Sequence, residues 1–312
     1  MPGGEFDWIA QLLRPLTRGA PEALDLLDDA AVIPSRTGFD LVVTKDALVA
    51  GVHFLHDDPL DLVARKLLRV NLSDLAAKGA DPYGYFLTTA WPTGTTWADR
   101  ELFARGLAED GETFSLSLLG GDTVSTPGPL TLTATLLGWV QQGAAILRRG
   151  ARPGDRLAVS GTIGDGWLGL KAARAEIDSP VLAHRYRLPV PRTDLIATLR
   201  THARAAVDVS DGLLADAGHI AKASGLAVTI ALDAVPVSIE AQAWLTEQPD
   251  RAAARLAIAT GGDDYQILCA IAPEGPVPNG LTVVGAFEAG EGVTATFKGA
   301  PVAIDRLGWT HG

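Results

Sequence analysis

The apolar runs in this chain are short and broken by glycine, proline or aspartate, so none approaches the roughly 18 to 20 residues needed to cross a bilayer. Such punctuation suits a string of brief strands and helices packed into compact cores. A length of 312 residues gives room for about two domains of about 150 residues each. Lys plus Arg total 26 against 37 for Asp plus Glu, and the net charge of −11 argues against broad binding to nucleic-acid phosphates. Small anionic ligands remain open if cations carry them. Cys269, the single cysteine, lies in the apolar run 267–271, so an internal disulfide is ruled out and a reducing compartment is expected. The opening MPGGEFDW shows no basic stretch leading into an apolar one, which makes the cytoplasm the expected location.

The first half alternates strand-like with helical patterns. Residues 40–46 and 85–89 read as strands, and 130–140 alternates Leu130, Leu132, Ala134 and Leu136 with threonines at period two. Residues 61–78 bring Leu62, Leu67, Val70 and Ala77 near one helical face, with Pro59 before and Gly79 after as start and stop; 99–110 is a weaker helix. The Gly- and Arg-rich stretch 141–155 then breaks the pattern and predicts a division into domains 1–145 and 146–312. Beyond it, 156–160, 206–209, 226–232, 265–271 and 281–287 read as strands. Helices follow the glycine-rich loop 161–169 and occupy 213–224. No period of 20 to 50 residues repeats, so the chain reads as α+β with two mixed αβ domains.

Aspartates recur at the ends of these runs. Asp28 and Asp29 precede 30–33, Asp46 and Asp122 follow apolar runs, Asp208 and Asp211 flank Val209, and Asp263 and Asp264 follow two glycines. Asp74 shares a helix face with Asn71. Any one of them alone reads as a turn or cap residue, as Asp57 and Asp58 do beside Pro59. As a set they ask for more. Two like charges about 4 Å apart repel by roughly 4 kcal/mol at an effective dielectric of 20, so such carboxylates converge only around a cation. Only His53 and His56, among six histidines, lie near one of these acidic segments, and hard oxygen ligands select Mg²⁺ over zinc.

Magnesium held by aspartates commonly serves phosphates. There is no Gly-Lys pair, so a P-loop is excluded. Residues 164–169 match G-x-G-x-x-G between a strand and a helix, but no buried strand ending in an acid follows about 20 residues on. A glycine turn for close helix packing is therefore the preferred reading of that loop.

Read in order, GEFDWI (4–9), LDDAAV (27–32), TKDALVAGVHF (44–54), NLSDLAAKGADP (71–82), GGDT (120–123), RRGARPGD (148–155), DVSDGL (208–213) and GGDDYQIL (261–268) resemble the thiamine-monophosphate kinases. These belong to the aminoimidazole ribonucleotide synthetase superfamily. The resemblance implies two αβ domains, the N-terminal one binding ATP and metal and pairing in a homodimer through its sheet, the C-terminal one completing the active site. It implies Asp29, Thr44, Asp46, Asp74, Asp122, Asp208 and Asp211 as ligands of two or more Mg²⁺ ions. Gly121, Asp122, Arg148 and Ser210 would contact ATP; His53, Asp263 and Trp309 would line the thiamine monophosphate pocket. Asp122, Asp211 and Arg148 would serve transfer itself. The implied reaction is direct in-line movement of the ATP γ-phosphate to thiamine monophosphate, the last step of thiamine diphosphate formation, with no covalent intermediate.

Two positions depart from the family pattern. Asp263 stands where Glu is usual, and Lys45 stands where a small polar residue is usual, beside the implied metal ligands. Two alternatives stay open: another ATP-using member of the superfamily, or a non-catalytic regulator that binds Mg-nucleotide. GEFDWI and GVHF favour the kinase.

Overall fold

A computed structural model of the chain describes residues 4–310. It forms two compact units, one of residues up to Leu75 with Ala80–Ala145, the other of Ala76–Gly79 with the residues from Ile146 onward.

The first unit holds α1 (Glu5–Trp8), β1 (Phe39–Val49), α2 (Leu60–Ala77), β2 (Asp81–Pro92), α3 (Trp97–Thr113), β3 (Ser117–Thr126) and β4 (Thr131–Gln141). Its sheet runs β1-β4-β2-β3, antiparallel except for the parallel β2–β3 pair. Period-two alternation turns Leu132, Ala134 and Leu136 of β4 inward, where they pack with Leu48, Leu87, Leu67, Leu72 and Phe103. The helices that cover this face are set by local chemistry. Thr96 and Asp99 close a capping box at the start of α3, and Gly79 in left-handed conformation ends the α2 turn. Buried Asp110 accepts from Arg69 at 2.6 and 2.9 Å and from Arg65 at 3.0 Å, tying α3 to α2. The other face stays open along β1, where Phe39, Leu41 and Val43 are exposed.

The second unit holds β5 (Arg156–Ser160), α4 (Asp165–Ala173), α5 (Pro180–Arg187), α6 (Ile196–His202), β6 (Ala203–Asp208), α7 (Leu213–Ser224), β7 (Leu226–Ala231), α8 (Ile239–Glu247), α9 (Arg251–Ala259), β8 (Ile267–Ile271), β9 (Leu281–Ala289), β10 (Gly292–Phe297) and β11 (Ala300–Val302). Its sheet order is β11-β10-β7-β9-β5-β8-β6, with only β10–β7 parallel. The central strands are covered on both faces, so they are apolar throughout. Leu157, Val159, Val207 and Leu268 face a core with α7, while Ala158, Ala206, Ile267 and Cys269 face one with α6. Burial pushes the Cys269 thiol up to about 12, which keeps it protonated and inert.

Two expectations need correction. Residues 30–33 form no strand; Ala31 and Ile33 instead pack as loop residues on Leu119 and Leu137. Asp122 lies inside β3 rather than after it, while Asp46 falls within β1, as the expected strand 40–46 has it. Both are edge strands, paired on one side only, so a polar side chain interrupts neither ladder, and pairing continues to Val49 and Thr126.

Candidate functional site

In the first unit, β1 and α2 build a compact oxygen cluster. Alternation along β1 puts Thr44 and Asp46 on the face that α2 covers, and Thr44 Oγ1 donates to Asp74 Oδ2 at 2.5 Å. Burial, joined by the charge of Asp74, pushes the Asp46 carboxyl up to about 6. Two close carboxylates and a hydroxyl, with no nitrogen or sulfur donor, suit a hard divalent cation such as Mg²⁺. Lys45 alternates to the opposite face from Thr44 and Asp46.

Asp122 also falls away from this cluster. The register runs Ala47 to Thr133, Thr133 to Thr88 and Thr88 to Asp122, which puts Asp122 on the Lys45 face of the sheet. Three strand spacings, about 14 Å, separate β1 from β3. Beside it, Gly121 has φ +156°, and an added Cβ would lie 1.8 Å from the Leu87 carbonyl oxygen, so only glycine fits. Asp29 is an exposed loop residue outside both groups; its N–H bonds Asp28 Oδ1. His53 is half-buried in the turn after β1, and its Nδ1 accepts from the Val49 N–H at 3.0 Å. That bond leaves any proton of the neutral ring on Nε2.

In the second unit, two loops are stitched side by side. Val209 N–H donates to Gln266 O, Tyr265 N–H to Val209 O and Asp263 N–H to Ser210 O, at 2.7 to 2.8 Å. Gly262, at φ +77°, permits this approach; a Cβ there would meet Ser210 O at 2.5 Å. Asp263 and Tyr265 are themselves left-handed, at φ +65° and +51°, and Tyr265 OH donates to Asp263 Oδ1 at 2.8 Å. Strain of this kind gathers where a fixed geometry serves function. Asp208 is buried at the end of β6, Ser210 is exposed and Asp211 is half-buried. Arg148 is exposed on a segment whose Leu147 carbonyl accepts from Ala206 N–H.

Two residues passed over in the sequence organise this region. Asp216 Oδ2 accepts from the backbone N–H groups of Ser210, Asp211 and Gly212 at 3.1 to 3.2 Å. Burial and the Asp211 charge push its carboxyl up to about 7, against the pull of those donors. His219 brings a ring nitrogen within 4.8 Å of carboxylate oxygens of both Asp211 and Asp216. Burial, then the positive charge of Arg148, lowers its pKa, so the ring is neutral at pH 7. The expectation of acids without a histidine nearby therefore fails here. The signal was the three-residue step from Asp216 to His219, one helix face.

A cavity of about 1160 Å³ adjoins this group, lined by Asp211, His219, Lys222, Arg306 and Trp309 among others. Trp309 is 54% exposed and its backbone N–H donates to Asp211 O at 2.8 Å. Asp263 lines a different cavity, of about 280 Å³, with Arg185 and Arg192. The glycine-rich loop borders it too. Buried Asp264 accepts from Gly164 and Gly166 N–H at 2.8 to 2.9 Å, occupying the donors a nucleotide phosphate would need, as the packing reading of that loop requires.

Residues 27–140 match the AIR synthase related protein N-terminal domain, and 152–298 the AIR synthase related protein C-terminal domain. A two-unit αβ chain with carboxylate clusters in both units is thus a member of the AIR synthase related class. Within it, the thiamine-monophosphate kinase of Caulobacter vibrioides is 61% identical over all of this chain and 92% of its own. The crystal structure of thiamine-monophosphate kinase from Stenotrophomonas maltophilia K279a, 35% identical, superposes with TM-score 0.80 over 93% of this chain and 95% of that one. AaThiL complexed with AMPPCP and TMP, 30% identical, reaches 0.81 over 99% and 97%. The chain belongs to the thiamine-monophosphate kinase family, a family of phosphotransferases.

Proposed function

We propose that the chain phosphorylates thiamine monophosphate with ATP and Mg²⁺, releasing thiamine diphosphate and ADP. The observation that carries this reading is the full-length likeness to a relative solved with AMPPCP and TMP. A phosphate monoester, with second pKa about 6, is largely dianionic at pH 7, so one of its oxygens attacks the γ-phosphorus without a general base. The bond from that phosphorus to the β-bridging oxygen breaks, and ADP leaves with the electron pair. The obstacle is the meeting of two anions. Thr44, Asp46 and Asp74 would hold one cation, and Asp29, Asp122, Asp208 and Asp211 would serve as ligands of further Mg²⁺ ions. When bound, Mg²⁺ supplies neutralisation of phosphate charge and orientation of the γ-phosphoryl group. Gly121, Arg148 and Ser210 hold the nucleotide, and Arg148 adds positive charge. His53, Asp263 and Trp309 receive thiamine monophosphate, with the Trp309 indole against the cationic thiazolium.

The open apolar face of β1, with Phe39, Leu41 and Val43 exposed, supports a homodimer formed through this sheet. One assay tests the activity: purified protein with ATP, Mg²⁺ and thiamine monophosphate forms thiamine diphosphate. Tight Mg-ATP binding with no turnover would sink the kinase in favour of a binding module.

A further inference from the structure

His53 stands in the segment GVHF (51–54), where the chain leaves β1 in a tight turn. Gly51 N–H donates to Phe54 O at 2.7 Å and His53 N–H to Val49 O at 2.9 Å. Gly51 sits at φ +81°, and a Cβ there would come within 2.7 Å of His56 Nε2, so the turn has no slack for a larger residue. The Val49 N–H closes on His53 Nδ1 at 3.0 Å. One more bond reaches this turn from α2. Lys66 is 1% exposed, and its Nζ donates to the His53 carbonyl oxygen at 3.1 Å. Asp58, 6% exposed on the same stretch, sets a carboxylate there, and its Oδ2 accepts from Leu55 N–H at 2.8 Å. Removing an ammonium from water is costly, and an apolar side chain of the same length would fill the space without that cost. The buried charge therefore asks for a task beyond packing.

We infer that Lys66 is a positioning residue: by holding the His53 carbonyl oxygen it fixes the imidazole with Nδ1 on the Val49 N–H and the proton on Nε2, the donor offered to thiamine monophosphate. The inference rests on the kinase reading for the substrate that His53 meets. One residue is pinned at its backbone and at its ring, and the backbone pin is a full charge. Charge-assisted hydrogen bonds are stronger than neutral ones. A ring already held in one orientation loses little freedom when a ligand arrives. Lys66 is itself enclosed by the fold, so its effect on a substrate passes through His53.

The test uses the full chain with ¹⁵N-labelled histidine, read by NMR at a pH where the ring is neutral, together with steady-state kinetics. Wild type shows His53 as a single Nε2–H tautomer, its signals assigned by their loss in His53→Gln. Lys66→Met keeps the length of the side chain, removes the donor and turns those signals into an average of the two tautomers. The KM for thiamine monophosphate rises by about tenfold in that variant, while kcat and the KM for ATP hold. Should Lys66→Met fail to fold, wild type decides: a held ammonium gives a slowly exchanging Nζ–H signal, and one that exchanges as fast as those of exposed lysines overturns the inference. Unchanged His53 signals in folded Lys66→Met, or a KM for ATP that rises alongside, overturn it too. Changed signals with an unchanged KM for thiamine monophosphate leave the hold on the ring standing and remove His53 from the substrate pocket. The signals are read without turnover, so a wild type that forms no thiamine diphosphate overturns the kinase reading alone.

Discussion

The two units hold their carboxylates by different means. In the first, Asp46 and Asp74 stand on a strand and a helix whose own hydrogen bonds fix the backbone, and a single side-chain bond from Thr44 joins the elements. In the second, Ser210 and Asp211 stand on a loop, and a loop needs clamps. Asp216 gathers three of its N–H groups, Gly262 lets the neighbouring loop close on it, and the Trp309 backbone N–H bonds the Asp211 carbonyl. A regular frame gives a cluster with few supports; a loop gives one reachable from a cavity and demands many.

Asp122 breaks this comparison hardest, since it lies on the other face and the other edge from Asp46. If it nonetheless serves the metal in phosphoryl transfer, Asp122→Asn lowers the rate of thiamine diphosphate formation by about a hundredfold or more, with circular dichroism unchanged. Equal rates in variant and wild type remove Asp122 from the site.

The next effect lies inside the all-oxygen cluster. Asp74→Asn removes one carboxylate and with it the charge that helps hold Asp46 near 6. The Mg²⁺ concentration for half-maximal rate rises by about tenfold. Carbon-detected NMR titration of the metal-free protein shows the Asp46 pKa falling toward the ordinary carboxylate value, by the Asp74 share only, because burial remains. An unmoved Asp46 would mean that the two carboxylates do not feel each other.

How far the sequence carried this distinction depends on the kind of residue. Strands β1 and β4 and helices α2 and α7 were legible because one face of each is buried and the period shows. Asp122 read as following an apolar run rather than lying within strand β3, because glycines and an aspartate on an edge strand look like a strand's end. Thr44 and Asp46 two apart, with Asp74 a helix away, came from the family resemblance, and the geometry joins them. His219 did not come at all: its three-residue step from Asp216 marks a shared helix face, but that step gains meaning only when the Asp211 loop folds back on it. The face of the sheet that Asp122 and Lys45 share depends on register, which the sequence does not print.

The two buried aspartates of the second unit sharpen the comparison further. Asp264 clamps the loop ahead of α4 as Asp216 clamps the one ahead of α7, but its neighbour Asp165 is tied up by Thr162, Ser238 and Arg185. Burial pushes the Asp264 carboxyl up to about 8, above its unfolded value near 4. The folded state therefore holds the proton more tightly. Its contribution is fully present below about pH 4 and is lost as pH rises through about 8. Urea midpoints of wild type relative to Asp264→Asn accordingly decline from pH 5 to pH 8. A flat difference would show the carboxylate ionised throughout and satisfied by Gly164 and Gly166.

The smallest effect concerns the cavity beside the clamped loop. Trp309 is more than half exposed, so little stability rests on its side chain, and Trp309→Ala leaves the melting temperature within about 2 °C. A cation over an indole contributes about 0.5 to 2 kcal/mol, which corresponds to about 2- to 30-fold in binding. The KM for thiamine monophosphate rises within that range while kcat holds, because the ring touches the part of the substrate that does not react. Trp309→Phe retains a weaker face and recovers part of the loss. An increase in the KM for ATP instead would reassign the indole to the nucleotide, and the 1160 Å³ cavity with it.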